Sequence, residues 1–132
     1  MSQRQNIYFA SDLHLGMQPA EESLRRERLF IEWLEEIRRD ARELWLLGDV
    51  FDYWFEYRKV VPRGFTRFLG TLASLSDDGI EIHLIPGNHD IWVFDYLPSE
   101  ISLKVHRKNI RREWNKHTFF LGHGCLLYTS PS

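Results

Sequence analysis

Carboxylate, imidazole and amide side chains recur in this sequence where short apolar runs end, each close to a glycine. They are Asp12 and His14 before Gly16, Asp49 after Gly48, Asn88 and His89 after Gly87, and His123 after Gly122. Oxygen and nitrogen donors without thiolates suit a hard or borderline divalent ion such as manganese, iron or zinc. A structural zinc site would require cysteines, and the chain has only one. The pattern therefore predicts a metal centre that takes part in chemistry.

The spacing of the donors indicates how they could share two ions. Asp12 and His14 alternate with Leu13, and in an extended chain both side chains would lie on one side. Asp49 has no histidine close by and lies between the other clusters along the chain, so we expect it to bridge the ions. Two ions about 3.5–4 Å apart stabilise both oxygens of an in-line displacement at phosphorus. Each cluster alone is a weak signal, and the prediction depends on their conjunction.

The segments between the donors predict alternating strands and helices. We expect strands at residues 7–10, 44–47, 80–85 and 101–105, amphipathic helices at 20–41 and 65–75, and a hairpin of 109–114 with 117–121. Such alternation is typical of an α/β fold with a parallel sheet. The carboxyl ends of parallel strands meet at one edge, so the four donor clusters are expected to converge there.

Length and composition limit the class of protein. The chain has 132 residues, 43% of them hydrophobic, which fits one folded domain. Its net charge of −2 gives no overall argument for nucleic acid as a partner. The first residues resemble neither a signal peptide nor a membrane span. With Cys125 as the single cysteine no internal disulfide can form, so a cytoplasmic protein is expected.

Several polar residues outside the donor clusters have simpler interpretations. Asp52 could cap a helix, support the site or act in it. The three histidines His83, His106 and His117 are expected to be structural. A basic cluster in the hairpin region suits an anionic lipid surface or, equally, a solvated hairpin; it comprises Arg107, Lys108, Arg111, Arg112 and Lys116. The charges of the first helix are expected to face solvent; they are Arg25, Arg26, Glu27, Arg28, Glu35, Glu36, Arg38 and Arg39.

As an ordered set, the motifs resemble those of the calcineurin-like metallophosphoesterases. The family pattern runs Asp-x-His, Gly-Asp-x-x-Asp, Gly-Asn-His-Asp/Glu and Gly-His. The matching residues here are Asp12-Leu13-His14, Gly48-Asp49-Val50-Phe51-Asp52, Gly87-Asn88-His89-Asp90 and Gly122-His123. The resemblance spans residues 7–124. It implies the N-terminal half of a four-layer α/β/β/α metallophosphoesterase sandwich.

The resemblance also implies a role for each donor. Asp12 and His14 would hold one divalent ion, and Asn88 and His123 the other. Asp49 would bridge the two and so belong to the catalytic residues. His89 would face the phosphoryl oxygens as an acid or electrostatic stabiliser, and with Asn88 would contact the substrate. The expected cofactors are two divalent metal ions, with manganese favoured.

Residues 11–16 and 48–55 are similar to one branch of the family, the hydrolases of UDP-2,3-diacylglucosamine in lipid A synthesis. This implies a nucleotide-sugar lipid as substrate, UMP and 2,3-diacylglucosamine 1-phosphate as products, and contact with the inner membrane surface. The best-known members of that branch carry arginine at the position of His89, whereas histidine there is closer to the wider family. Two alternatives stay open: a related phosphoesterase acting on cyclic nucleotides, phosphoproteins or nucleic acid ends, or a non-catalytic binding module.

The family pattern extends beyond this chain, with two more histidine ligands and further strands. Residues 125–132 instead match the translation of a transposase-based sequencing-library adapter. We therefore expect a partial metallophosphoesterase domain over 1–124 and a non-native tail over 125–132. We also expect the second sheet to be absent, which would leave an apolar face of the first sheet exposed, and the isolated chain to be close to inactive.

Overall fold

A parallel four-stranded sheet forms the centre of the described structure. The structure, a computed structural model, describes residues 5–16, 18–52, 64–87 and 96–122 and the backbone of 125–129. The strands lie side by side in the order β1 (Asn6–Ala10), β2 (Ala41–Leu46), β3 (Glu81–Leu84) and β4 (Lys104–Val105). The helices between them are α1 (Ala20–Ile37), α2 (Thr66–Asp77) and α3 (Tyr96–Ile101). This alternation confirms the predicted α/β fold class.

The helices cover one face of the parallel sheet. Alternate strand residues point to this face and pack against α1 and α2 in one core; they include Leu44, Leu46, Ile82, Leu84, Phe30, Leu34, Phe68 and Leu72. All of these side chains are buried. Burial of each contributes about 1.5–3 kcal/mol to folding, so this core fixes the strand ends that carry the donors.

A second sheet covers the opposite face. It is antiparallel, in the order β5 (Ile110–Trp114), β6 (His117–Gly122) and β7 (Cys125–Thr129). Leu121 of this sheet is buried against Trp45, Leu47 and Ile85 of the first. The expectation of a missing second sheet is therefore wrong for the described residues. The predicted hairpin forms and folds back over the apolar face, because that contact removes large side chains from water.

Two element boundaries differ from the sequence prediction. Ala41 continues the apolar spacing of α1, but the helix ends at Ile37 and Ala41 begins β2. The spacing alone could not distinguish helix from strand there, because a buried alanine fits either element. A strand was predicted over 101–105, yet only Lys104–Val105 pairs with β3. The residues before it form the short helix α3, which was not predicted.

Glu27 corrects the expectation that the charged side of α1 is fully solvated. Its side chain is buried, and its carboxylate accepts a hydrogen bond of 3.4 Å from the backbone N–H of Phe68. Phe68 lies in the first turn of α2, which has no side-chain cap of its own. A carboxylate from α1 thus accepts a hydrogen bond from an N–H in the first turn of α2, where N–H groups have no partner within the helix. Its negative charge also interacts favourably with the positive end of the helix dipole.

Within the described residues, the helices are too short or too polar to cross a lipid bilayer.

Candidate metal centre

The loops that follow β1 and β2 are joined by backbone hydrogen bonds. The N–H of Asp12 donates to the carbonyl of Gly48 at 3.1 Å, and that of His14 donates to Asp49 at 3.0 Å. Leu15 and Val50 continue this pairing at 2.9 Å. The pairing continues the parallel register of β1 and β2 beyond the strands. It brings the predicted donors of two distant segments next to each other.

Three predicted donors meet where these loops pair. Asp12, His14 and Asp49 each offer a ligand atom, and these atoms all lie within 4.8 Å of one another. The His14 Nε2 atom is 3.8 Å from a carboxylate oxygen of Asp12. Asp49 is only 6% exposed, whereas the side chain of Asp12 is 56% exposed. Asp49 therefore forms the buried end of the cluster, and Asp12 forms its solvent-exposed side.

The backbone at these donors is unusual. Asp12, His14 and Asp49 have φ values of 57°, 49° and 52°, all in the left-handed region. Gly48, which precedes Asp49, has a φ of 90° and supplies conformational freedom where the chain turns. An extended conformation was expected at Asp12 and His14, and that expectation is wrong. Left-handed residues other than glycine cost roughly 1–3 kcal/mol each and concentrate at functional sites.

Asp52 has a position that the sequence left open. Its carboxylate lies 3.5 Å from Nδ1 of His14, on the other side of the imidazole from Asp12. The N–H of Asp52 donates to the carbonyl of Leu15 at 2.8 Å, which fixes it beside that loop. A carboxylate at Nδ1 favours a proton on that nitrogen, and Nε2 is then the nitrogen that would bind a cation. The only sequence signal was its position three residues after Asp49.

The loops are anchored in the core by apolar neighbours. Leu15 and Phe51 form a bridge between the loops and are almost completely buried. The Phe51 ring makes edge contacts with Phe65 at 5.1 Å and Phe68 at 5.8 Å. The hydroxyl of Ser23 in α1 accepts a 2.6 Å hydrogen bond from the N–H of Gly16. Packing on both helices therefore holds the donor loops in place.

The other predicted site residues lie outside the described part of the chain. Asn88, His89 and His123 belong to this group, so their convergence with the cluster stays a prediction. The described strand β3 ends at Leu84 beside Leu46 of β2. The loop after β3 thus starts at the same sheet edge as the donor cluster.

The three donors fit a divalent cation by their chemistry. Two carboxylates and one imidazole match the preferences of a hard or borderline ion. The three ligand atoms lie close enough together to contact one ion, within 4.8 Å of one another.

Two of the three histidines taken as structural form a stacked group between the sheets. His83 lies flat on Trp45 with 4.0 Å between ring centroids, and its Nδ1 is 2.9 Å from Nε2 of His106. Burial lowers the pKa of His83 to about 4, and His106 acts in the same direction.

Arg112 lies over the Trp45 ring at 5.3 Å, so this member of the basic cluster faces the interior. The basic surface on the hairpin therefore has one cationic side chain fewer than expected.

Comparison with known proteins gives consistent matches. The family model described as calcineurin-like phosphoesterase matches residues 5–126. A UDP-2,3-diacylglucosamine hydrolase of Porphyromonas gingivalis is 51% identical over 127 residues, covering 96% of this chain and 48% of the relative. One from Ectopseudomonas mendocina is 32% identical, covering 93% and 49%. The chain thus spans about half the length of these curated relatives.

A solved structure supports the fold. The protein of unknown function AQ665 from Aquifex aeolicus superposes with a TM-score of 0.59 at 18% identity, covering 89% of this chain and 59% of that one. At this identity the likeness concerns the fold alone. The family match covers nearly all of the chain, and its region contains the paired loops with Asp12, His14 and Asp49. This chain belongs to the calcineurin-like phosphoesterase family.

Proposed function

We propose that this chain carries the metal-binding part of a phosphoester hydrolase with two divalent ions. The observation that supports this most is the meeting of Asp12, His14 and Asp49 within 4.8 Å at the ends of β1 and β2. Two of these donors come from one loop and the third from the neighbouring loop. Such an arrangement suits a dimetal site, since a carboxylate from the neighbouring loop could contact both ions.

The proposed roles are those that the family resemblance implies. Asp12 and His14 would hold the first ion, Asp49 would contact both, and Asn88 and His123 would hold the second. His89 faces the phosphoryl oxygens as acid or electrostatic stabiliser, and Asn88 helps to bind them. Manganese is the proposed ion, as the resemblance to the UDP-2,3-diacylglucosamine hydrolases implies, and a donor set without thiolate is compatible with it. When bound, the two ions supply Lewis acidity and a hydroxide source near neutral pH.

The proposed substrate is UDP-2,3-diacylglucosamine. The support comes from relatives of that name, among them one 51% identical to this chain. Hydrolysis at the diphosphate adds water across one P–O bond and gives UMP and 2,3-diacylglucosamine 1-phosphate. His14 and the buried Asp49 keep the donor geometry during this displacement, since both are fixed by backbone hydrogen bonds of their loops. Because the substrate carries acyl chains, we propose a cytoplasmic protein that works at the inner membrane surface.

We also propose that residues 1–124 are part of a longer catalytic domain and that 125–132 are a non-native tail. The length of the curated relatives, of which this chain matches about half, supports the longer domain. The match of residues 125–132 to a translated adapter supports the non-native tail. The backbone of Cys125–Thr129 pairs with β6, which either a native or a foreign segment can do, because strand pairing uses main-chain groups. Sequencing the locus across codon 124 tests this, and a native stop after the same codons would exclude a foreign tail.

The activity is tested with the complete protein encoded at the locus. UMP release from UDP-2,3-diacylglucosamine with manganese is expected, and hydrolysis of a simple aryl phosphate is expected to be far slower. Asp49→Asn should lower kcat/KM by more than roughly 100-fold, because the bridging charge is lost. Asp77→Asn, an exposed carboxylate at the end of α2, is the matched control and should change little.

The possible outcomes separate the alternatives. Turnover of aryl phosphate without UMP release would indicate a different calcineurin-like phosphoesterase. No turnover of either substrate, with unchanged behaviour of Asp49→Asn, would indicate a non-catalytic module.

A further inference from the structure

Ser23 of α1 lies next to the loop that carries Asp12 and His14. This serine is only 7% exposed, and its hydroxyl accepts a 2.6 Å hydrogen bond from the N–H of Gly16. Gly16 comes two residues after His14 and ends the loop. The hydrogen bond therefore connects the helix directly with the end of the first donor loop.

The end of the first loop also determines where it meets the second donor loop. Leu15, the residue before Gly16, donates its N–H to the carbonyl of Val50 at 2.9 Å. The carbonyl of Leu15 accepts a hydrogen bond of 2.8 Å from the N–H of Asp52. The carboxylate of Asp52 in turn lies 3.5 Å from Nδ1 of His14. A displacement of Gly16 would therefore change how His14 faces the second loop.

Gly16 is in contact with α2 residues as well. A carbon added to it would lie 2.9 Å from Cζ of Phe65, so the Phe65 ring occupies the space beside this glycine. The same ring meets Phe51 of the second loop with 5.1 Å between centroids. A ring contact limits how closely Gly16 approaches, whereas a hydrogen bond also fixes the direction of its N–H. Ser23 is thus the contact that orients the end of the loop.

We propose that Ser23 is a positioning residue of the metal centre, whose hydrogen bond keeps the first donor loop in its metal-binding conformation. This rests on the proposed function, because it requires an ion at the donor cluster. Asp12 and His14 have left-handed backbones, with φ of 57° and 49°, so other loop conformations compete with this one. When only a fraction of the molecules holds the binding conformation, the apparent affinity falls by that fraction.

Ser23→Ala in the complete protein tests the proposal by calorimetric titration with manganese alone. We expect the manganese affinity to fall about tenfold. At saturating manganese, kcat and the KM for the substrate should return to the wild-type values, because the donors themselves are unchanged. Ser23→Thr keeps the hydroxyl and should restore most of the affinity.

Tyr8→Phe is the matched control. It also removes a hydroxyl with a 2.6 Å hydrogen bond, to Asp40, but Asp40 precedes β2 at the amino ends of the strands, opposite the donors. This variant should lose stability and keep its manganese affinity.

The outcomes distinguish this inference from the proposed function. Wild-type protein that binds manganese no better than Ser23→Ala, or a loss of the same size in Tyr8→Phe, would overturn the positioning role and leave the proposed function intact. A Ser23→Thr variant as weak as Ser23→Ala would also overturn it. Wild-type protein that binds no manganese would overturn the metal centre and this inference together.

Hydrogen exchange of the wild-type protein decides the question if Ser23→Ala does not fold. Because coupling between the hydrogen bond and the ion is reciprocal, manganese should slow the exchange of the Gly16 N–H. An exchange rate that does not depend on manganese would overturn the proposal.

Discussion

At the scale of single residues, the site depends on backbone conformations that its donors rarely adopt. Asp12, His14 and Asp49 are left-handed, with φ between 49° and 57°. This backbone conformation orients the three side chains toward a common point. Extended loops would orient the same side chains differently. Aspartate tolerates the conformation better than most residues, whereas β-branched residues there would be outliers. The conformation is maintained because paired backbone hydrogen bonds hold both loops.

Asp52 is expected to position His14. Replacing it by asparagine in Asp52→Asn removes the charge 3.5 Å from Nδ1 and should lower manganese affinity and kcat/KM by about 10–100-fold. Metal titration by calorimetry and steady-state UMP release provide the measurements. Asp78→Asn, at the C-terminal end of α2, is a control with a surface carboxylate. Equal metal affinity for wild type and Asp52→Asn would contradict the positioning role.

His83 is expected to make the protein sensitive to acid. Its pKa is lowered to about 4 in the folded state, while in the unfolded chain it titrates near its ordinary value of 6.5. As pH falls between these values, the unfolded state takes up a proton that the folded state does not, so stability decreases. The free energy of unfolding should fall by about 3 kcal/mol from neutral pH to pH 4 through this group.

Urea unfolding at several pH values measures this loss. The His83→Gln variant should lose less free energy of unfolding between neutral pH and pH 4 than the wild type does, whatever the effect of the substitution at neutral pH. An unchanged pH dependence in the variant would contradict the assignment. His106, whose pKa is also lowered mainly by burial, should contribute in the same direction.

At the scale of elements, contacts between loops and helices position the site. Gly16 ends the first donor loop with a φ of 97°, and its N–H is bound by Ser23 of α1. Glu27 connects α1 with the start of α2, and Phe51 packs against Phe68 of α2. Both donor loops therefore depend on the same two helices. A change at these contacts should affect stability and donor geometry together.

Gly16→Ala tests this dependence. A methyl group there would lie 2.9 Å from Cζ of Phe65, and the left-handed φ disfavours alanine. We expect a loss of about 1–3 kcal/mol in the free energy of unfolding. Gly70→Ala in α2 is the matched control, since nothing lies within 4 Å of the added carbon. That variant should gain about 0.5–1 kcal/mol. Urea titration followed by tryptophan fluorescence distinguishes the two, and equal stabilities would contradict the expectation.

At the scale of the whole molecule, two sheets share one interface and one edge of the parallel sheet carries the donors. Trp45 is fully buried in this interface and contacts groups from both sheets, including Trp114 at 5.9 Å. The chain nevertheless spans only about half of its curated relatives. The proposed activity therefore depends on residues beyond the ones described.

The isolated chain is expected to fold its two sheets but to turn over substrate poorly. Purified residues 1–132 should release no measurable UMP with manganese, while the complete protein should be active. The reason is the ligand count: the family pattern includes two more histidine ligands beyond this chain, so each proposed ion would lack one. Turnover by the 132-residue chain at a rate near that of the complete protein would contradict this expectation and show that the donors within residues 1–132 suffice.

The sequence by itself determined the alternating elements and named the candidate donors. Apolar runs and glycines mark the ends of β1 and β2, so Asp12, His14 and Asp49 could be named without coordinates. Periodicity also predicted the hairpin of β5 and β6. These features are local, because each depends on neighbours within a few positions along the chain.

Only the tertiary structure decided the features that depend on contacts between distant segments. These are the left-handed donors, the role of Asp52 beside His14, the burial of Glu27 against α2 and the stacking of His83 on Trp45. In each case a backbone or side-chain partner tens of positions away, or a loop paired with another loop, sets the conformation. Pattern within one segment carries no information about such partners, because it records the burial of a residue but not what buries it.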